Sequence, residues 1–250
     1  MDASDILLAD ILADPGDDLP RRVYADWCED HGDSDRAEFI RLQLALAAMP
    51  DDDPARPEAE ARETRLRKAN ERRWLGPLRG HVQGWGFRRG FVDSLAMHPG
   101  DVLAARELLE RTVPLDKLAL VRCGERIILD RLAELPLLER LRSLDLSGNI
   151  LDREDAEGLL ASPRLEGLRE LRFNDNPYGF DAVEAVARSR TLGGLEVLEL
   201  RRSNLTDGPA SRLCESACLS GLRVLDLRGN AIGEGGRREV RRFFGDAARF

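Results

Sequence analysis

This chain has little of what catalysis, metal binding or secretion usually requires. Its 250 residues include 4 cysteines, 3 histidines and 2 tyrosines, and aromatic residues make up only 5%. The cysteines, Cys28, Cys123, Cys214 and Cys218, are scattered, which excludes a disulfide framework. Cys214 and Cys218 stand four apart on an expected helix, but no histidine or further cysteine completes a ligand set, so no metal is expected. His31, His81 and His98 sit in unrelated contexts. Cys28 and His31 are close in sequence, yet nothing beside them would orient a nucleophile and its base. No glycine-rich phosphate loop appears, so neither a cofactor nor a catalytic residue is expected. No apolar run approaches the roughly 20 residues that span a membrane. The opening Met1-Asp2-Ala3-Ser4-Asp5 lacks the basic start of a signal peptide. Basic excess is missing too: the net charge is −8 and the pI about 5.1, against a nucleic-acid binder. These absences together suggest a cytoplasmic, non-enzymatic protein that contacts neither membrane nor nucleic acid.

What the chain does have is repetition. Leu141, Leu144, Leu146 and Asn149 spell L-x-x-L-x-L-x-x-N, and Leu168, Leu171, Phe173 and Asn176 repeat it. Leu195, Leu198, Leu200 and Ser203 follow, then Leu222, Leu225, Leu227 and Asn230, each set 27 residues after the last. Leu115, Leu118, Leu120 and Cys123 form an earlier set, and Val92, Leu95 and Met97 a weaker one, giving about six. The alternating core suits a short strand with its leucines on one face. The Asn position follows where the chain turns, and its side chain serves backbone groups left unpaired there. Helices are expected over 153–161, 180–189, 208–217 and 236–244. One such unit cannot bury its leucines alone, and stacking supplies the missing surface. The spacing is that of leucine-rich repeats. The helix-bearing 27-residue units resemble the ribonuclease-inhibitor and Ran-GTPase-activating subfamily. The expected fold class is therefore α/β: a leucine-rich-repeat solenoid, parallel strands concave and helices convex, preceded by a small α-helical domain.

Residues 1–48 are expected to form that helical domain, with breaks at Asp14-Pro15-Gly16-Asp17-Asp18 and His31-Gly32-Asp33-Ser34. Leu7-Leu8, the Asp14–Asp18 break, Arg22-Val23-Tyr24-Ala25-Asp26-Trp27 and Glu38-Phe39-Ile40-Arg41-Leu42-Gln43 resemble the bacterial repeat-companion domain. That domain typically precedes leucine-rich repeats, and the resemblance implies no activity. Cys28 stands where the family more often has leucine, which implies an apolar slot. Residues 49–84 read as a linker and a charged helix, Glu58–Trp74, whose mixed charges suit a solvated face. Residues 85–250 are the repeat domain, with Trp85, Phe87 and Phe91 expected to seal its first edge.

Residues beside the inward leucines would point to the concave surface. They include Asp145, Glu170, Arg172, Asn174, Glu199, Arg201, Arg202, Asp226 and Arg228, the expected partner-binding residues. Opposite charges there either pair between adjacent strands or recognise an unidentified protein partner, as solenoids commonly do. The expected function is protein–protein interaction. The alternative is a GTPase-activating protein acting through an exposed arginine.

Overall fold

Capping carboxylates and prolines start the first helices of the computed structural model, which describes residues 3–124 and 126–250. α1 spans Ala3–Ala13 and α2 Leu19–Asp30, with Pro20 in the first turn of α2 where its missing N–H costs nothing. Asp33 caps α3 (Ser34–Ala48) by accepting from the Arg36 amide at 3.2 Å. α4 runs Arg56–Leu75 and stops at Gly76, whose φ of 53° suits glycine. β1 (Val82–Arg88) and β2 (Phe91–Met97) are joined by Arg89 and Gly90, both at positive φ, as a tight hairpin requires. Only glycine fits at position 90, because a Cβ there would lie 2.8 Å from the Ile40 Cα. α5 (Pro99–Ala104) and α6 (Arg106–Thr112) follow.

The chain divides into two compact units: residues up to Ser94 together with Glu107–Leu115, and Leu95–Arg106 with Asp116–Phe250. In the first, Ile11, Ala25, Ile40, Leu44 and Phe91 form a buried cluster against Leu8 and Tyr24. The charged helix α4 belongs to this unit. Its Trp74 packs on Phe39 with ring centroids 4.5 Å apart, while Asn70 donates to Asp35 at 3.0 Å and Arg73 to Asp33 at 2.8 Å. Its charges are thus in part spent on α3. Phe87 packs edge-on against Phe39 and Trp74, and Phe91 against Tyr24, so both serve the first unit's aromatic core, whereas Trp85 is 38% exposed.

The second unit follows the 27-residue rhythm. β3 (Lys117–Leu120), β4 (Ser143–Asp145), β5 (Glu170–Arg172), β6 (Val197–Glu199) and β7 (Val224–Asp226) pair in parallel, with Leu118, Leu144, Leu171, Leu198 and Leu225 in one register row. A short β8 (Ala248–Arg249), which the leucine pattern does not announce, pairs with β7. Between the strands run α7 (Arg126–Ala133), α8 (Arg153–Leu160), α9 (Gly179–Arg188), α10 (Asp207–Cys214) and α11 (Glu234–Phe244). The sheet has eight strands in chain order. Leu144, Leu171, Leu198 and Leu225 are fully buried, each contributing about 1.5–3 kcal/mol of transfer free energy. Among the described residues, no helix is long and apolar enough to cross a membrane.

Position eight of each repeat requires a left-handed backbone. Gly148 and Gly229 fill it at φ 69° and 76°, but Arg122, Asp175 and Arg202 adopt it at 56°, 55° and 49°. A Cβ crowds the backbone in that region, so these three carry strain that glycine avoids.

Candidate binding face

Asn149 and Asn230 tie one repeat to the one before, whereas the Nδ2 of Asn176 is buried without a hydrogen-bond partner among the described residues. Asn149 donates to the carbonyls of Leu120 and Leu146 at 2.8 and 2.9 Å and accepts from the Cys123 amide at 2.8 Å. Asn230 repeats the arrangement with Leu200, Leu227 and the Ser203 amide. Ser203, at the same position of its repeat, donates instead to the carbonyls of Phe173 and Arg201. Cys123 joins the ladder through its backbone alone. Burial pushes its thiol up to about 12, and pushes Cys28 up to about 11, so both stay protonated at neutral pH. These asparagine bonds join neighbouring repeats beside the strands that carry the candidate residues.

Seven of the nine expected residues form one connected network. Arg172 pairs with Glu170 on its own strand and reaches Glu199 on β6 at 3.7 Å. Asn174, only 5% exposed, donates to Glu199 at 2.8 Å and accepts from the Arg201 amide at 2.8 Å. Arg201 closes on Glu199 at 2.8 Å and approaches Asp226 at 3.9 Å. Arg228 grips the buried Asp226 through both Nε and Nη2. Burial alone would raise the Asp226 carboxyl, but the hydrogen bonds from Arg228 reverse this and hold it below the usual range.

The other two stand apart. Asp145 turns back to accept from the Ser147 amide at 2.9 Å and meets no cation among the described residues. Arg202, one position along the chain in the left-handed turn, makes a two-point pair with Asp175 at 2.6 and 2.7 Å. Hydrogen bonding to Arg202 lowers the Asp175 carboxyl.

Chemically, the face offers charge and hydrogen bonds, already matched to one another. Among the described residues no group of three or more His, Cys, Asp or Glu is placed to hold a metal ion. His31 is engaged elsewhere: its ring stacks on Trp27 at 4.2 Å and its Nδ1 lies 2.8 Å from the Trp27 carbonyl. No protein family matches the chain by its sequence model, and no curated protein shows significant similarity to it.

Sequence reasoning missed a second polar feature, in the first unit. The Arg36 guanidinium sits 5.0 Å from the rings of both Trp74 and Phe91, and its Nη1 is buried without a hydrogen-bond partner. Desolvation pushes its pKa down to about 10. Arg21, 3% exposed, lies over the Phe91 ring at 5.8 Å. The available signal was an arginine three residues before Phe39 in an apolar helix, which reads equally well as a surface charge.

Proposed function

We propose that the second unit is a leucine-rich-repeat solenoid of the ribonuclease-inhibitor and Ran-GTPase-activating type, preceded by a repeat-companion domain. On this reading the chain is a non-enzymatic interaction module whose strand face binds a protein partner. The observation that carries it is the network itself. Polar side chains from successive parallel strands hold one another in place before any partner arrives, so little rotamer entropy remains to be lost on binding. Solenoids commonly use this face. Because acids and arginines alternate and already pair, the matching partner carries both signs rather than a uniformly acidic surface. The GTPase-activating alternative needs an arginine free to reach another protein's phosphate, whereas Arg172, Arg201, Arg202 and Arg228 each grip a carboxylate.

The test is photo-crosslinking. A crosslinking residue in place of Lys117, exposed on β3, is expected to trap a partner that the same residue in place of Arg131 on α7 does not. Equal trapping of the same partner at both positions would sink the reading. Charge reversal is a poorer probe here. Reversing Arg188 places a carboxylate beside Glu184, whose side chain is 7% exposed and paired to Arg188 at 3.1 Å. Reversing Arg228 would likewise strand the buried Asp226.

A further inference from the structure

The terminal helix α11 carries exposed arginines that the strand-face network does not engage. Arg241 and Arg242 on α11 are exposed and meet no carboxylate among the described residues. Arg238 has only a 3.8 Å pair with the exposed Glu234. Beside them Phe243 is 48% exposed, stacked edge-on against Phe244. Phe250 follows β8, with the guanidinium groups of Arg237 and Arg241 over its ring. This is a basic, aromatic surface on a chain of net charge −8.

The compensating charge is in the same sequence. The first 60 residues hold 17 of the 46 acidic residues and only 5 of the 38 basic ones. There the turn from α1 to α2 carries Asp14 and Asp17, and Asp10 precedes it on α1, none paired to a cation among the described residues. Arg22 beside them offsets one of these charges. Leu19 and Val23, four apart on α2 and so on one helix face, are 64% and 42% exposed. Leu19, Val23 and Phe243 are each exposed to solvent.

We propose that α11 and the residues after it dock onto the α1–α2 surface of a second copy of this chain. Phe243 would cover Leu19 and Val23, and the α11 arginines would face the aspartates. The contact joins two different surfaces, so copies exchange it reciprocally in a closed pair or pass it on head to tail. Complementary charge would speed encounter and make the association salt-sensitive. This proposal is independent of what the strand face binds.

The experiment is molar mass by light scattering across concentration, at low and high salt, with circular dichroism as the check on folding. Two variants each remove one side without reversing its charge: Arg238→Ala/Arg241→Ala/Arg242→Ala, and Asp10→Asn/Leu19→Ser/Val23→Ser. The wild type is expected to grow in mass with concentration at low salt, while each variant alone stays monomeric. Mixed together, the two variants retain one good surface each and are expected to stop at a 1:1 dimer. Phe243→Ala keeps every charge and is expected to weaken wild-type association. A wild type that stays monomeric throughout, or a mixture of variants that does, overturns the proposal.

Discussion

Two sites, one in each unit, hold arginine in opposite ways. On the strand face each network arginine has a carboxylate: Arg228 holds Asp226, and Arg201 holds Glu199. In the first unit Arg36 has aromatic rings instead, with Trp74 and Phe91 both 5.0 Å away. The cost of desolvation shows in the difference. Arg228 gains from its hydrogen bonds to Asp226 and is held above the ordinary arginine value, whereas burial brings Arg36 down to about 10. Ring quadrupoles stabilise a cation but do not replace the water it gave up. Repetition makes the first solution available to the strands, since every 27 residues supply another position for a counterion. The first unit has no such repeat, and around Arg36 it places large aromatic side chains instead.

The contrast can be broken most sharply at the cores. Phe39→Ala removes the ring on which Trp74 and Phe87 both pack and is expected to cost about 3–5 kcal/mol. Leu198→Ala in the strand row should cost about 2–5 kcal/mol. Urea midpoints for the two variants and the wild type check both values; unchanged midpoints would mean the cores are assigned wrongly.

The counterion side of the contrast is tested at Asp226. Asp226→Asn keeps the shape but removes the charge that Arg201 and Arg228 share, with an expected cost of about 1.5–3 kcal/mol at neutral pH. Asp226 has a native pKa below its unfolded value. Its contribution is therefore present above the unfolded pKa of about 3.9 and fades as pH falls through the native one. Wild type and variant should converge in stability in that acid range. A gap that persists there would show that packing, rather than charge, holds the site.

Smaller effects follow from backbone and surface. Arg122 occupies the left-handed position that Gly148 and Gly229 fill without strain, so Arg122→Gly is expected to gain about 0.5 kcal/mol. Loss of stability in the thermal midpoint would argue that the Arg122 side chain matters more than its backbone. Arg62→Ala breaks a two-point pair with Glu38, but both side chains are more than 40% exposed. Little change in stability is expected, and a double-mutant cycle with Glu38→Ala measures it.

Much of the second unit was legible because its signal repeats. Leucines at a fixed interval announce a strand row, and α8, α9 and α11 begin within two residues of where the pattern places them. β8 was not legible, because Ala248 and Arg249 carry no leucine motif and pair only through their backbone. That seven of the candidate residues are neighbours was legible, since alternation along each strand puts them on one face. Their connections were not. Asp145 and Arg172 occupy the same repeat position, yet one turns to its own backbone and the other bridges to β6.

The sequence by itself therefore determined the local periodicities: which residues alternate into strands, which turn positions favour Asn or Gly, and which leucines face inward. Those follow from backbone geometry and hydrophobic burial over a few residues. Only the tertiary structure decided the long-range partners. Arg62 reads as one more exposed charge on α4 until α3 brings Glu38 to it, and Arg36 as a surface arginine until Trp74 and Phe91 close around it. The physical reason is that local spacing sets which way a side chain points, while its partner is set by what a distant segment delivers there.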